Sequence, residues 1–172
     1  LRVDRRDDGV LLATLDRPKV NALDTALLHE IEAMARGCTE DPPGAVVITG
    51  AGRMFAAGAE LAGFADPDLR GAQADAFRSA FAALERIPCP TIAAVNGLAL
   101  GGGAELAWCC DLRILGERSV FGQPEGFLGI IPGGGGPRNH DRTIACFGGD
   151  RGRRIGREER GWAHDQARCG RR

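Results

Sequence analysis

The feature that most constrains the fold is an apolar run that leads into consecutive glycines. Residues Thr91–Val95 are β-branched or small, and they predict a buried strand. Gly101-Gly102-Gly103 follow, and because they carry no side chains they let the backbone pass close to another group. An apolar helix is predicted next, over Gly102–Cys110. A strand, a glycine turn and a helix in this order indicate layered α/β architecture.

The predicted helix carries one early charge, Glu105. A helix N-terminus offers unpaired N–H groups and the positive end of the helix dipole, so this junction suits developing negative charge. A carboxylate on an otherwise apolar helix is costly unless it has a role or a partner. The alternative is an ordinary glycine turn with Glu105 at a solvated helix start, and spacing alone does not decide between the two.

Two further segments combine small residues with carboxylates. Phe121-Gly122-Gln123-Pro124-Glu125 leads into the stretch Leu128–Gly136, so a second carboxylate lies in an apolar loop punctuated by proline and glycine. Upstream, Phe55–Leu61 is a third small-residue loop, and it contains Glu60. Taken alone, Glu125 could be an ordinary loop charge.

These three motifs, in this order, resemble those of the enoyl-CoA hydratase/isomerase (crotonase) family. Arg17-Pro18 and Asn21-Ala22-Leu23 add to the resemblance, which runs from about Val10 to Gly136. It implies a crotonase-like spiral of β-β-α units. The family continues into a helical C-terminal region, which we expect to be absent or unrecognisable in this chain.

The resemblance also implies a catalytic site. The backbone N–H groups of Ala59 and Gly102 would form an oxyanion hole for the thioester oxygen of an acyl-CoA, and Gly133 would help to hold a water molecule. Glu105 and Glu125 match the two catalytic carboxylates: one deprotonates water and the other supplies a proton to the α-carbon. Two glutamates that share one water are expected to titrate as a coupled pair.

Substrate contacts are implied for Ala57, Glu60, Leu61 and Gly101. Glu60 stands where the family usually has aspartate, a change that could shift contacts around the CoA arm. The resemblance implies no metal and no cofactor, because coenzyme A is part of the substrate. It also implies a homotrimer or a dimer of trimers, although this chain lacks the recognisable C-terminal region that packs between subunits.

The leading interpretation is an enoyl-CoA hydratase that adds water, with syn geometry, to a trans-2-enoyl-CoA. The presence of both Glu105 and Glu125 favours hydration over Δ3-Δ2 isomerisation, which usually manages with one carboxylate. An isomerase or another crotonase-type reaction is the nearest alternative. From a different class comes a truncated, non-catalytic family member.

Composition excludes several other classes. The net charge of -1 gives no electrostatic case for nucleic acid or a membrane surface as partner. The six cysteines show no CxxC pair, and the N-terminal residues show no signal-peptide core, so we expect a reduced, cytoplasmic protein. Neither a GxSxG serine motif nor a GxxxxGK phosphate loop occurs, and the three histidines form no metal-binding motif.

Hydrophobic periodicity predicts the remaining elements. A helix capped by Asp24 is expected to run to about Arg36. The other expected elements are strands at Val10–Asp16, Ala45–Thr49, Leu112–Leu115 and Val120-Phe121, and a helix at Ala72–Arg86.

The sequence changes character after Arg138. Residues 1–138 are expected to form the core domain, whereas residues 139–172 are rich in arginine and glycine and show no steady apolar period. We interpret this tail as a frame-shifted gene end, and we expect it to be poorly ordered because it can bury little apolar surface.

Overall fold

The computed structural model of the chain describes residues 1–62, 66–128, 133, 144–147, 154–156 and 167–168. Helices and strands alternate along these ranges, which confirms the expected α/β class. Within the same ranges, no helix has the length and apolar character needed to cross a lipid bilayer.

The described elements, in chain order, begin with two strands and a helix. They are β1 (Arg2–Arg5), β2 (Val10–Leu15), α1 (Thr25–Glu40), β3 (Ala45–Gly50), β4 (Met54–Ala56), α2 (Pro67–Leu84), β5 (Thr91–Val95), β6 (Leu98–Leu100), α3 (Gly102–Cys109), β7 (Leu112–Gly116), β8 (Val120–Gly122), a 3₁₀ helix (Pro124–Leu128), β9 (Ile144–Phe147), β10 (Arg154–Gly156) and β11 (Ala167–Arg168).

The strands form two sheets. The larger sheet has the order β1-β2-β3-β5-β7-β9-β10, and the smaller has the order β11-β8-β6-β4. The inner strands β2, β3, β5, β7 and β9 are parallel, whereas β1 and β10 pair antiparallel at the two edges. In the smaller sheet β4, β6 and β8 are parallel to one another.

The chain repeats one unit along this pair of sheets. One strand joins the larger sheet, the next joins the smaller sheet, and a helix follows: β3-β4-α2, then β5-β6-α3, then β7-β8 and the 3₁₀ helix. In each repeat the next element after the strand of the smaller sheet is therefore a helix. This is the β-β-α succession that the sequence motifs imply.

Capping side chains set where the first two helices begin. Asp24 caps α1 as predicted, and its carboxylate accepts the N–H of Leu27 at 2.9 Å. The helix α1 ends at Glu40, four residues beyond the predicted end at Arg36.

The predicted start of α2 at Ala72 is wrong. The helix begins at Pro67, because Asp66 accepts the backbone N–H groups of Asp68 and Leu69. Proline also fits the first turn of a helix, where its missing N–H costs nothing. An aspartate followed by proline is thus a helix start that apolar periodicity alone does not show.

The core lies between the sheets and the helices. The helices α1 and α2 pack against each other, and α3 packs against β4, β5 and β6. Among the described residues, the largest fully buried apolar side chains come from both sheets, from the helices and from one loop: Leu15, Leu23, Leu28, Ile31, Val46, Ile48, Phe55, Phe81, Leu84, Val95 and Leu106.

The predicted boundary at residue 138 remains a prediction. Most of the expected tail, residues 139–172, lies outside the described residues. Its described part forms the short strands β9, β10 and β11, which the sequence pattern did not place. In the larger sheet β9 pairs parallel with β7.

Packing of α3 onto the smaller sheet generates a stability prediction. A Cβ added at Gly103 would lie 2.3 Å from the carbonyl oxygen of Ala56, a backbone atom that cannot move aside. We expect Gly103→Ala to lower the free energy of unfolding by about 2 kcal/mol, because overpacking displaces the helix from the sheet. Urea unfolding followed by circular dichroism measures the change.

Gly37, in the last turn of α1, is the matched control. Nothing lies within 4 Å of a Cβ added there, so Gly37→Ala should stabilise the chain by about 0.5–1 kcal/mol through helix propensity. Equal responses of the two variants would contradict the proposed close contact of α3 with β4.

Candidate active site

The predicted site residues lie at one edge of the smaller sheet. The parallel strands β4, β6 and β8 are neighbours, so their carboxyl ends meet at this edge. Ala59 follows the end of β4, Gly102 follows β6, and Glu125 follows β8. The carboxyl edge of parallel strands is a common place for ligand sites in α/β proteins.

The backbone after β4 lies directly against the start of α3. Gly58 has φ +105°, and a Cβ there would be 2.8 Å from the carbonyl oxygen of Leu100 and 3.4 Å from the amide nitrogen of Gly102. Positive φ and the close approach both require glycine. A Cβ added at Gly102 would in turn lie 3.5 Å from the amide nitrogen of Ala59. The N–H groups of Ala59 and Gly102 therefore lie near each other.

Hydrogen bonds fix the backbone on either side of Ala59. The N–H of Leu23 donates to the carbonyl of Gly58 at 2.8 Å, and the N–H of Glu60 donates to the carbonyl of Leu23 at 3.1 Å. Within the described part of the chain, no protein acceptor takes the N–H of Ala59 or of Gly102. Two neighbouring amide donors can thus bind one external oxygen.

Glu105 and Glu125 are both buried, with 3% and 8% of their surface exposed. The alternative of a solvated Glu105 at a helix start is therefore wrong. Burial raises the pKa of the Glu125 carboxyl, and the negative charge of Glu105 raises it further, although a backbone hydrogen bond acts in the opposite direction. The charge of Glu105 thus acts on the titration of Glu125, and coupled titration of the two carboxyls remains a prediction.

Gly101 lets the Glu125 carboxyl approach the start of α3. Gly101 has φ +53°, and a Cβ there would lie 2.9 Å from the Oε1 atom of Glu125. The N–H of Glu105 donates to the carbonyl of Gly101 at 2.9 Å. The same glycine therefore contacts one carboxyl and anchors the backbone of the other.

Gln123 is a site residue that the sequence reasoning did not single out. With its amide nitrogen toward Glu125, it donates to both carboxyl oxygens at 2.7 Å. With the amide reversed, the nitrogen lies 3.4 Å from the carbonyl of Gly101, and the amide oxygen faces the carboxyl. The first orientation suits an ionised Glu125 and the second suits a protonated one. In the sequence, the feature that points to Gln123 is its position two residues before the Glu125 carboxylate.

Phe77 was also missed as a site residue. Its ring atoms lie 2.9 Å from where a Cβ at Gly102 would be, and its ring packs edge-to-face on Phe81 at a centroid distance of 5.4 Å. The sequence placed Phe77 on an apolar helix face without indicating which element it contacts. Phe77 and Gly102 together form one wall beside the two amide donors.

The remaining predicted residues are less enclosed. Leu61 is 54% exposed, whereas Ala57 and Glu60 are half-buried. Gly133 is exposed, and no described residue lies within 4 Å of a Cβ added there. The residues on both sides of Gly133 lie outside the described ranges, so its role in holding water remains a prediction.

Glu60 has a charged partner. Its Oε2 atom lies 2.9 Å from an Nη1 atom of Arg17, and this hydrogen bond is the largest cause that lowers the pKa of the Glu60 carboxyl. Among the described residues, no group of three or more histidine, cysteine, aspartate or glutamate side chains could hold a metal ion.

Known proteins match most of the chain. The model of a family described as enoyl-CoA hydratase/isomerase matches residues 5–148. The 2,3-dehydroadipyl-CoA hydratase of Escherichia coli is 46% identical over 144 residues, which cover 81% of this chain and 55% of that protein. The mitochondrial enoyl-CoA hydratase of Pongo abelii is 40% identical over 141 residues, covering 81% and 49% respectively.

A solved structure shares the fold. The crystal structure of an enoyl-CoA hydratase from Bacillus anthracis superposes with a TM-score of 0.74 at 39% identity, over 80% of this chain and 55% of that chain. The likeness confirms the crotonase-type α/β fold expected from the sequence motifs. The chain spans about half the length of the curated relatives it matches.

The raised pKa of Glu125 predicts an unusual pH dependence of stability. Below the unfolded pKa of about 4.3 the carboxyl is protonated in both states, so burial costs little there. As pH rises, the unfolded state loses its proton first, and stability falls until the pH passes the folded pKa. We therefore expect Glu125→Gln to be more stable than wild type at pH 8, with the difference vanishing near pH 4, as measured by urea unfolding.

Glu60→Gln serves as the control of opposite sign. The pKa of Glu60 is lowered, so its contribution is present above the unfolded pKa and is lost as pH falls through the folded pKa. This variant should be less stable than wild type at pH 8. A Glu125→Gln variant that is destabilised at pH 8 would contradict the buried, partly desolvated placement of that carboxyl.

Proposed function

This chain belongs to the enoyl-CoA hydratase/isomerase family, and we propose that it adds water reversibly across the 2,3 double bond of a trans-2-enoyl-CoA thioester. One observation carries the proposal: two amide donors and two buried carboxyls meet at the carboxyl edge of three parallel strands. Polarising a thioester and moving two protons require these groups.

The amide donors would polarise the thioester. When water adds to the β-carbon, negative charge develops on the thioester oxygen, and donors already aimed at that oxygen need no reorganisation. The N–H groups of Ala59 and Gly102 lie side by side and lack protein acceptors within the described residues. Loss of one such donor typically costs about 3–4 kcal/mol of transition-state stabilisation.

The two carboxyls divide the proton transfers. We assign the proton to Glu125 and the negative charge to Glu105. Burial and the charge of Glu105 raise the pKa of the Glu125 carboxyl, which supports this assignment. In the proposed reaction, both carboxyls hold one water molecule. Glu105 takes a proton from this water as the water oxygen bonds to the β-carbon, and Glu125 gives its proton to the α-carbon as the enolate collapses. Before the next turnover Glu105 gives up the proton that it took and Glu125 takes one up. The reverse steps eliminate water.

Gln123 supports this exchange of a proton. Its amide can donate to both oxygens of an ionised Glu125, or present its oxygen to a protonated one. The site needs no metal and no redox cofactor for this chemistry, because the amides polarise the thioester and the glutamates carry the protons. Coenzyme A enters as part of the substrate.

Isomerisation of the double bond is the second candidate, since it needs the same donors and one carboxyl. The burial of both Glu105 and Glu125 favours hydration. A non-catalytic family member, which binds acyl-CoA poorly or serves only in assembly, is the alternative from a different class. A cytoplasmic location and assembly into a trimer or a dimer of trimers remain predictions.

Replacement of either glutamate should stop hydration. We expect Glu105→Gln and Glu125→Gln each to lower kcat by at least about 100-fold with a small effect on KM, since each removes a proton-transfer group. The double variant should be little worse than either single one, because both act on one water. Loss of absorbance of a conjugated enoyl-CoA measures the rate.

Independent, additive losses in the double variant would contradict a shared water. If Glu125→Gln keeps isomerase activity but loses hydratase activity, both reactions share the oxyanion hole and differ in the second proton transfer. Glu32→Gln, in an ion pair with Arg36 along α1, is the matched control and should leave kcat unchanged.

Filling the oxyanion hole should abolish polarisation. A Cβ at Gly102 would lie 2.9 Å from the ring of Phe77 and 3.5 Å from the amide nitrogen of Ala59, so Gly102→Val inserts bulk between the donors. We expect the variant to lose the red shift that a conjugated acyl-CoA shows on binding. Gly71→Ala, with open space around the added Cβ, is the control; a full shift in Gly102→Val would remove Gly102 from this role.

A further inference from the structure

The direction of the Ala59 N–H depends on a short backbone bridge. Ala59 pairs with Leu23 as an isolated parallel bridge, outside both sheets. Only two backbone hydrogen bonds form this bridge, from the N–H of Leu23 and from the N–H of Glu60. An isolated bridge lacks neighbouring strands to hold it, so side chains that bind it can decide where the amide of Ala59 points.

Gln73 binds this bridge from α2. Its side chain is buried, with 7% of its surface exposed. Gln73 lies fifty residues after Leu23 in the sequence. Its Nε2 atom donates to the carbonyl of Leu23 at 3.1 Å and to the carbonyl of Glu60 at 3.2 Å. One amide group thus uses both hydrogens to tie the two strands of the bridge together.

Arg17 binds the same residue of the bridge through its side chain: Gln73 contacts the backbone carbonyl of Glu60, and Arg17 contacts its carboxylate. Its Nη1 atom lies 2.9 Å from Oε2 of Glu60, and its Nε atom lies 2.9 Å from Oδ2 of Asp24. Asp24 also caps α1, so the guanidinium connects Glu60 to a helix start.

We propose that Gln73 and Arg17 are positioning residues that aim the Ala59 N–H at the substrate oxygen, by fixing the backbone and the side chain of Glu60. This inference rests on the proposed function, since it assigns a role in the oxyanion hole. Neither residue touches the substrate; both act through the peptide that carries the donor. Polarisation depends on the donor position, so a small displacement weakens it.

The test compares Gln73→Met and Arg17→Met with two controls. Methionine keeps the size of glutamine but donates no hydrogen bond. Ser119→Ala removes another buried hydrogen bond, from the Ser119 hydroxyl to the carbonyl of Val95 at 2.6 Å, away from the bridge. Arg36→Met removes an ion pair with Glu32 on α1. Arg17→Lys keeps the charge but cannot bind two carboxylates as a planar fork does.

The first readout is the red shift of a bound conjugated acyl-CoA together with steady-state kinetics. We expect Gln73→Met and Arg17→Met to reduce the shift and to lower kcat about 10-fold or more with little change in KM. The reason is that the oxyanion hole stabilises the charge of the transition state more than it stabilises the bound substrate. Arg17→Lys should recover part of the loss. Both controls should keep the wild-type shift, even where Ser119→Ala lowers the stability of the chain.

The second readout needs no substrate. Native-state hydrogen exchange of the Leu23 and Glu60 amides reports the bridge directly, and we expect about 10-fold faster exchange at these two amides in Gln73→Met, with little change elsewhere. Unchanged exchange at both amides in both variants overturns the inference. Faster exchange with a wild-type shift and kcat also overturns it, because the two residues then serve stability alone.

The two readouts separate this inference from the proposed function. If wild type itself shows no red shift with any conjugated acyl-CoA, the proposed function fails, and the exchange measurement still decides whether the two side chains hold the bridge. If wild type shows the shift and the two variants lose it together with exchange protection, both the function and the positioning role are supported.

Discussion

The close contact between two backbone segments is the constraint on which the rest of the site depends. Two amide donors can bind one oxygen only if their peptides nearly touch, and side chains at the contact would keep them apart. Gly58 and Gly102 supply that contact. A Cβ added at Gly58 would lie only 3.4 Å from the amide nitrogen of Gly102. Close backbone approach thus decides where glycine is required, and the fold supplies the approach.

The smaller sheet provides this approach. Its parallel strands β4, β6 and β8 are only three residues long, yet their carboxyl ends bring Ala59, Gly102 and Glu125 to one edge. The larger sheet and the packed helices supply most of the buried apolar surface and hold the short strands in place. Glu105 enters from α3 and is buried by the same packing, so its charge acts on Glu125 through a medium with little water.

Much of this arrangement could be predicted from the sequence, since long periodic segments show their burial directly. Thr91–Val95 and the helix capped by Asp24 were identified from pattern alone. The short strands β4 and β6 are not among the strands expected from the sequence, because three residues next to glycine-rich loops give little periodic signal. The roles of Gln73 and Gln123 depend on contacts between segments distant in sequence or on amide orientation, which no local pattern encodes. The glycine motifs indicated the donors through the family resemblance, and spacing alone did not.

The central claim is that the chain hydrates an enoyl thioester at this site. The most direct measurement incubates the 172-residue chain with a short trans-2-enoyl-CoA in ¹⁸O-labelled water and analyses the thioester by mass spectrometry. The account predicts a product that has gained one water, with the label in a hydroxyl group on the β-carbon. Recovery of unlabelled thioester, unchanged or with a shifted double bond, would contradict it.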